Sequence, residues 1–396
     1  MGASSKSFVG TSIRFLLENS MFLIFGALAG LLWANFDAAS YHNITHHIHF
    51  AVNDVFMAFF FLIAGKEIRE AMLPGGALSS GKTAALPLLA TSGGMAGPAV
   101  IYLIGCAVLN TPELHRGWAI PTATDIAFSY LVARLIFPRV GGKTHPAIVF
   151  LLLLAIADDA GGLIILAIFY PTGEMNLLYL LGGIVASIGI AQVFWRVLKW
   201  TSFWPYLLVP GVISWFAFHS GGIHPALALV PLAWCLPHTH SDVGLWEVGE
   251  SNGADTLNQM EHWWKTPVEI ILGFFGFVNA GVELSALGAG TALVACGLLF
   301  GKPIGIVFMT KVGQLLGLRL PIGMSGNDLV VVGLTAGIGF TVALFVSVVA
   351  FPAGELQDSV KMGALFSFGV APIALILARV LGVGKKPKIP AEEPSA

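Results

Sequence analysis

Long apolar runs, separated by short polar stretches, follow one another along almost the whole chain. A helix that crosses the hydrocarbon core of a bilayer needs roughly 20 apolar residues in sequence. Twelve runs reach or approach this length, and the seventh and eighth are the shortest. They cover residues 16–35, 53–73, 84–109, 117–137, 146–170, 176–195, 204–219, 222–237, 263–285, 290–312, 327–350 and 358–382. The pattern predicts an all-α integral membrane protein with about 12 transmembrane helices.

Composition excludes a soluble fold. Hydrophobic residues make up 56% of the 396 residues and charged residues only 11%, whereas soluble domains usually contain about 25% charged residues. A lipid bilayer can cover this apolar surface, and water cannot. The runs contain no nucleophile–base pair and no metal-binding motif, so we expect neither an enzyme nor a cofactor. We also expect no nucleic-acid partner.

The positions of the basic residues indicate the orientation. With twelve crossings, almost all Lys and Arg residues fall on the side that holds both termini. The exceptions among the 20 are Arg116, Lys361 and Lys302. Cytoplasmic loops are enriched in Lys and Arg, so we expect residues 1–384 to form one multi-pass inner-membrane domain with cytoplasmic termini. The Pro- and charge-rich segment 385–396 predicts a disordered cytoplasmic tail.

Of the charged residues inside the apolar runs, we single out five. Asp54 lies in the second run, Asp125 in the fourth, Asp158 and Asp159 side by side in the fifth, and Lys302 in the tenth. A charge at the bilayer centre costs about 2.5 kcal/mol or more, so each requires a compensating interaction. Consecutive residues of a helix point about 100° apart. One of the adjacent acids can therefore face an ion cavity while the other pairs with Lys302.

Two interpretations of these charges are open. A buried ion pair could serve only to fix the packing of two helices. Alternatively, several carboxylates against one lysine leave a surplus of negative charge, which a proton or a hard cation would neutralise. The number of acids favours the second interpretation.

The fourth run contains a residue that interrupts a helix. Pro121 removes a backbone donor, and Thr122 and Thr124 can satisfy the freed backbone groups beside Asp125. Gly and Pro are common in membrane helices, but a break next to a buried acid favours a binding site.

The eleventh run is also interrupted. Gly333, Gly337 and Gly339 bracket a loosened stretch that Thr341 follows. Interrupted segments at corresponding positions of two halves are the best sequence indication of a transporter binding site.

The strings around these residues resemble the NhaA family of sodium/proton antiporters. The resemblance is carried by NDVFMAFFFLIAGKEIRE, GWAIPTATDIAF, LLAIADDAGGLIILAIFY, SGGIHPALA, FVNAGVELS, LLFGKPIGI and VVGLTAGIGFTVALF. It extends from the second run nearly to the end of the chain. This family is a standard example of inverted repeats, and the resemblance implies that two discontinuous helices, the fourth and eleventh, cross near the membrane midplane.

The resemblance also implies roles for the charged residues. Asp159 would match the ion-binding aspartate of the family, with Asp158 beside it and Lys302 as the ion-pair partner of Asp158. Sodium would bind at Asp158 and Asp159. Asp125 and Thr124 would lie at the break of the fourth helix.

Other positions match the family's access and regulatory residues. Asp54 would lie in the access funnel, and Glu67, Glu261 and His224 would match positions of the pH response. The chain departs from the family pattern nearby at Glu70, Ala71 and Gln259, which leaves the pH range of activity open.

The predicted function is secondary exchange of sodium, with lithium as a further candidate, for protons. The resemblance implies that this exchange is electrogenic and pH-dependent and that it takes place across a bacterial inner membrane. A sodium-coupled solute symporter and a channel are the alternatives. Cation selectivity, stoichiometry and a homodimeric state do not follow from the sequence.

Four histidines, His42, His46, His47 and His49, lie in the string YHNITHHIHF before the second run. A zinc or pH-sensing role is one interpretation. A solvated loop or a dimer contact is the interpretation that we favour.

Overall fold

The computed structural model describes residues 21–76, 78–139, 144–238 and 255–384, with the backbone alone at 82 and 83. Every predicted run contains helix within this part of the chain, and no strand occurs there. The helices are α1 (Met21–Phe36), α2 (Ala38–Met72), α3 (Gly81–Leu109), α4a (Pro112–Thr122), α4b (Ile126–Ile136), α5 (Pro146–Phe169), α6 (Leu177–Arg196), α7 (204–221), α8 (Pro225–Cys235), α9 (Thr256–Asn279), α10 (Ala289–Leu315), α11a (Gly326–Thr335), α11b (Phe340–Ala350) and α12 (Glu355–Val380). The predicted tail, 385–396, lies outside the described residues.

Length and composition show which described helices can cross a membrane. Six single helices are long and apolar enough, namely α2, α3, α5, α6, α10 and α12. The bent pairs α4a–α4b and α11a–α11b bring the number to 8 when each pair counts as one span. The apolar helices α1 and α8 are shorter. The chain is therefore a multi-pass, all-α membrane protein.

The eighth predicted span is much shorter than its apolar run. The predicted range was 222–237, but helix α8 covers only Pro225–Cys235. Gly222 adopts a left-handed conformation with φ +82°, which ends α7, and Pro225 then starts the next helical turn. Two local backbone restrictions thus shorten a segment that hydropathy alone extends.

The second helix begins at Ala38, not at residue 53. Asp37 caps it by accepting a hydrogen bond from Ser40 N at 3.0 Å, and the helix continues through a π-helical turn at Ala51–Phe56. The histidine string is therefore helical with exposed imidazoles, and its interpretation as a loop was wrong. Asp54 lies in the π-helical turn, in the interior of a long helix.

Helices α3 and α10 pack with their backbones unusually close. A Cβ atom on Gly97 would lie 2.3 Å from the carbonyl oxygen of Gly301, and one on Gly305 would lie 2.0 Å from that of Gly93. Small residues at four-residue spacing on both helices allow this approach, as is common in membrane bundles. The contact fixes the part of α10 that carries Lys302.

Candidate functional site

The two broken helices cross through their interruptions. Helices α4a and α4b meet at 54°, and α11a and α11b meet at 46°. Asp125 N, in the first break, donates a hydrogen bond to the carbonyl oxygen of Ile338, in the second, at 2.7 Å. A Cβ atom on Gly337 would lie 2.5 Å from the carbonyl oxygen of Leu298, and one on Gly339 would lie 2.8 Å from that of Ala123. The crossing therefore requires glycine at both positions.

Asp125 joins the amino-terminal ends of two half-helices. Its Oδ1 accepts a hydrogen bond from Phe128 N at 3.1 Å, which caps α4b. Its Oδ2 accepts from Thr341 N at 3.2 Å and from the Thr341 hydroxyl, at the start of α11b. The positive ends of two helix dipoles stabilise this carboxylate. Its side chain is almost completely buried, with 4% exposure of the residue.

Lys302 occupies the complementary position. Its Nζ donates to Asp158 Oδ2 at 2.6 Å and to the carbonyl oxygen of Thr122, the last residue of α4a. A positive charge at the carboxyl end of a helix is favourable because the dipole there is negative. The Thr124 hydroxyl lies 2.9 Å from Asp158 Oδ2 and 3.1 Å from the carbonyl oxygen of Ala336. Asp158 is thus held by a cation on α10 and by a hydroxyl in the break between α4a and α4b.

Asp159 faces a different environment from its neighbour. It lines a small cavity between α2 and α5, together with Phe60, Phe61, Ala64 and Leu163. Its side chain is partly exposed, whereas Asp158 is buried. Asp158 Oδ1 and Asp159 Oδ1 are both shielded from solvent and have no hydrogen-bond partner within the described part of the chain. The site therefore holds two carboxylate oxygens with unused acceptor capacity.

The charges around Asp159 are predominantly negative. Asp158, Glu67 and Asp125 repel a negative charge at this position, and Lys302 attracts it. Because Asp158 already pairs with Lys302, the cluster has more acid than base. An unpaired carboxylate in such a place is costly, and neutralisation by a proton or a cation removes the cost.

Asp54 and His224 lie together, away from this cluster. His224 Nε2 is 4.0 Å from Asp54 Oδ1, and Trp215 Nε1 donates to the backbone carbonyl of Asp54 at 2.9 Å. His224 is buried, and Asp54 is partly exposed. The structure thus brings these two predicted residues together in a second polar region.

Glu67 lies toward the carboxyl end of α2, and Glu261 lies on α9. Lys66 contacts both Glu261, on α9, and Glu70, one turn further along α2. Lys66 is fully buried, and both acids are nearly so. One of the three departures from the family pattern, Glu70, therefore belongs to an ion cluster that links α2 to α9. Sequence reasoning missed Lys66, although its four-residue spacing from Glu70 was a visible signal.

Ala71 and Gln259, the other two departures from the family pattern, and the four histidines of α2 lie outside this ion cluster. Ala71 is buried near the end of α2, and Gln259 is partly exposed in the first turn of α9. Among the described residues, no group of three or more His, Cys, Asp or Glu side chains is suited to hold a metal ion. The α2 histidines are not part of such a group.

Two further charged residues in apolar helices were not singled out as site candidates from the sequence. Lys361, on α12, is 7% exposed, and Glu269, on α9, is partly buried. Both stand inside predicted runs, so a systematic search of the runs for charge would have added them to the candidates.

Fold and site together define a class. Two interrupted helices that cross beside buried acids and a lysine are typical of secondary transporters. The family model described as Na+/H+ antiporter 1 matches residues 13–378. The chain belongs to this family, which confirms the resemblance seen in its motifs.

Relatives and a solved structure agree with this membership. The Na(+)/H(+) antiporter NhaA of Jannaschia sp. (strain CCS1) is 47% identical to this chain, and the alignment covers 94% of this chain and 98% of the relative. That of Geobacter sulfurreducens is 46% identical, with 95% and 99% covered. The sodium proton antiporter MjNhaP1 from Methanocaldococcus jannaschii has a similar fold, with a TM-score of 0.59, 14% identity and 94% of each chain covered.

Proposed function

We propose that this chain is a secondary active antiporter that exchanges sodium for protons across a bacterial inner membrane. Family membership supports the exchange. The observation that carries the proposal is the pair of buried, unpartnered oxygens, Asp158 Oδ1 and Asp159 Oδ1, in a cluster with more acid than base. The protein is a transporter and not an enzyme.

The coupling follows from competition for the same carboxylates. Burial disfavours an ionised carboxylate, and Lys302 favours it, so the acids at this site are poised between two states. A proton neutralises Asp159 by forming a bond to one oxygen. A dehydrated sodium ion neutralises the same group by binding its oxygens together with Asp158. Each ligand excludes the other, so sodium and protons cross in opposite directions.

Lys302 gives the exchange its electrical asymmetry. When sodium draws Asp158 away, the ammonium group of Lys302 loses its carboxylate partner in a buried site. Loss of a proton from Lys302 then relieves the isolated charge. More positive charge moves as protons in one direction than as sodium in the other, which makes the exchange electrogenic.

The broken helices allow this change of charge without unravelling the bundle. Asp125 and Lys302 neutralise the half-helix ends that meet at the crossing, and Thr124 reaches both Asp158 and the second break. Ion binding at Asp158 therefore acts directly on the backbone of both interrupted helices. This link supports a conformational change that faces the site toward the other side.

The outer parts of the chain supply access and regulation in this proposal. Asp54 lies in the access route, and His224, Glu67 and Glu261 contribute to the pH response. Glu70, Ala71 and Gln259 shift the pH range relative to other family members, since Glu70 competes with Glu261 for Lys66. Both termini are cytoplasmic, and two copies can associate as a homodimer.

Flux measurements in proteoliposomes test the proposal. We expect saturable, sodium-dependent proton movement that depends on pH, and the same assay with lithium or potassium in place of sodium measures the cation selectivity. Sodium gradients should drive protons, and proton gradients should drive sodium. The names of the family and relatives give no support to a symporter. Sodium-driven uptake of a labelled solute, or sodium flux without counter-movement of protons, would overturn the exchange mechanism.

A further inference from the structure

Two buried asparagines join α2 to the carboxyl end of α9. Asn279 Nδ2 donates a hydrogen bond to Asn53 Oδ1 at 2.8 Å, and Asn53 Nδ2 donates back to Asn279 Oδ1 at 3.2 Å. Each asparagine is only 1% exposed. His49 lies one turn before Asn53 on α2, and its Nε2 is 2.9 Å from Asn53 Nδ2. We call Asn279, Asn53 and His49 the amide relay.

A backbone carbonyl fixes the direction of every hydrogen bond in the amide relay. Asn279 Nδ2 also lies 3.0 Å from the carbonyl oxygen of Phe275, which accepts hydrogen bonds and cannot donate them. Asn279 is therefore held with its amino group toward this carbonyl and its Oδ1 toward Asn53 Nδ2. Asn53 then gives one amide hydrogen to Asn279 and the other to His49. His49 Nε2 is consequently an acceptor, so the imidazole is neutral and carries its proton on Nδ1.

A proton on His49 Nε2 is incompatible with this arrangement. The new N–H group would face the amino group of Asn53, and two donors cannot bond to each other. Turning the Asn53 amide round would satisfy His49 but would break both bonds to Asn279. Either response leaves a buried polar atom without a partner, which is more costly than the loss of an exposed hydrogen bond.

We infer that His49 is a proton-operated switch, separate from the acids of the exchange site, that releases the Asp54 segment of α2 from α9 when it binds a proton. The His49 ring is exposed, so a proton from water reaches it directly, whereas Asn53 is buried. Asn53 lies in the π-helical turn Ala51–Phe56 and immediately precedes Asp54. Loss of its bonds therefore loosens the backbone that carries Asp54. The inference rests on the proposed function only for the place of Asp54 in the access route.

The charges around His49 set the direction of the response. The groups that act on the ring are His46 on α2, Lys361 on α12 and His224 beside α8. Two acids lie in the same region, Asp358 near Lys361 and Asp54 near His219 and His224. The positive groups oppose a further positive charge on the ring, and an unperturbed histidine titrates at about pH 6.5. The amide relay is therefore intact at neutral pH and opens on acidification.

Hydrogen exchange measured by mass spectrometry tests this switch in detergent, without any transport. The protection factors of segments 51–57 and 274–281 are compared at pH 7.5 and pH 5.5. We expect protection in the native protein to fall by about fivefold or more on acidification, since buried hydrogen bonds are lost. His49→Gln should keep its protection at pH 5.5, because its side-chain carbonyl accepts from Asn53 and does not titrate.

His47→Gln is the matched control. His47 is also exposed on α2, and its Nδ1 lies 2.6 Å from the carbonyl oxygen of Asn43. That nitrogen already carries a proton, so protonation of Nε2 leaves the bond intact, and this variant should lose protection as the native protein does. An equal fall in the native protein and His49→Gln, no fall in the native protein, or retained protection in His47→Gln would overturn the inference. Because the measurement needs neither sodium nor a proton gradient, these outcomes are separate from those of the flux assay.

Discussion

Lys302 Nζ lies 2.6 Å from Asp158 Oδ2, and both side chains are almost wholly removed from solvent. The pair joins α10 to α5, and Lys302 also binds the end of α4a. Each charge compensates the other, while Asp159, the next residue in the chain, receives no such partner within the described structure. Because Asp158 is paired and Asp159 is not, we expect different effects when each of these two sites is mutated.

Asp159→Asn should abolish sodium-dependent proton flux. The amide has nearly the same shape but can neither release a proton nor neutralise sodium. Thermal stability should be unchanged or higher, because a costly buried carboxylate is removed. Flux in proteoliposomes and a melting curve in detergent measure both. Asp37→Asn, which preserves the cap of α2, is the control and should transport normally; full flux in Asp159→Asn would refute the assignment.

Lys302→Ala should destabilise the protein by about 3–5 kcal/mol, because it leaves Asp158 charged and unpaired in a buried site. The carbonyl end of α4a also loses its donor. A lower melting temperature and a changed pH dependence of transport are the expected readouts. Lys311→Ala removes an exposed lysine from the same helix and should have little effect. Equal melting curves for both variants would contradict the role of the pair.

Gly337→Ala should destabilise the crossing by about 1–3 kcal/mol or more, since the added methyl group would overlap the carbonyl oxygen of Leu298. Gly182→Ala, on α6, is a suitable control because nothing lies within 4 Å of its added Cβ. That change should be neutral or stabilise the helix by about 0.5–1 kcal/mol. Melting temperatures of the two variants test the difference, and similar values would show that the crossing has more room than the structure indicates.

Lys66→Met should destabilise the link between α2 and α9 in a pH-dependent manner. Without the ammonium group, Glu70 and Glu261 repel each other in a buried place. Acidification neutralises carboxylates, so the stability deficit relative to the native protein should shrink as the pH falls. Melting curves from pH 8 to pH 5 measure this trend. Lys265→Met, an exposed change on α9, should show no such trend, and a deficit that grows on acidification would refute the explanation.

The sequence predicted the presence of most helices, the two breaks and the charged residues at the site. Apolar runs reveal bilayer-spanning helices because lipid leaves few other structures possible. Pro121 and the glycines at 337 and 339 marked the interruptions, because each changes what the backbone can do locally. The adjacency of Asp158 and Asp159 likewise implied two different directions on one helix.

Other features depended on information that hydropathy does not contain. The predicted second span began only after the polar histidine string, but Asp37 caps a helix that starts before this string and runs through it. The bonds from Thr341 to Asp125 and from Lys302 to Thr122 join residues far apart in sequence. No local pattern predicts such partners, and the same holds for the contact between Asn53 and Asn279.

The hydrogen bond from Asp125 N to the Ile338 carbonyl is made entirely by main-chain atoms. A main-chain hydrogen bond of this kind does not depend on the flanking side chains, provided that Gly337 and Gly339 keep the two helix breaks close together. Side chains near this hydrogen bond can therefore be replaced one at a time while the crossing of the two broken helices is kept. A common scaffold of this kind can be retuned for a new ion preference or a new working acidity without being rebuilt.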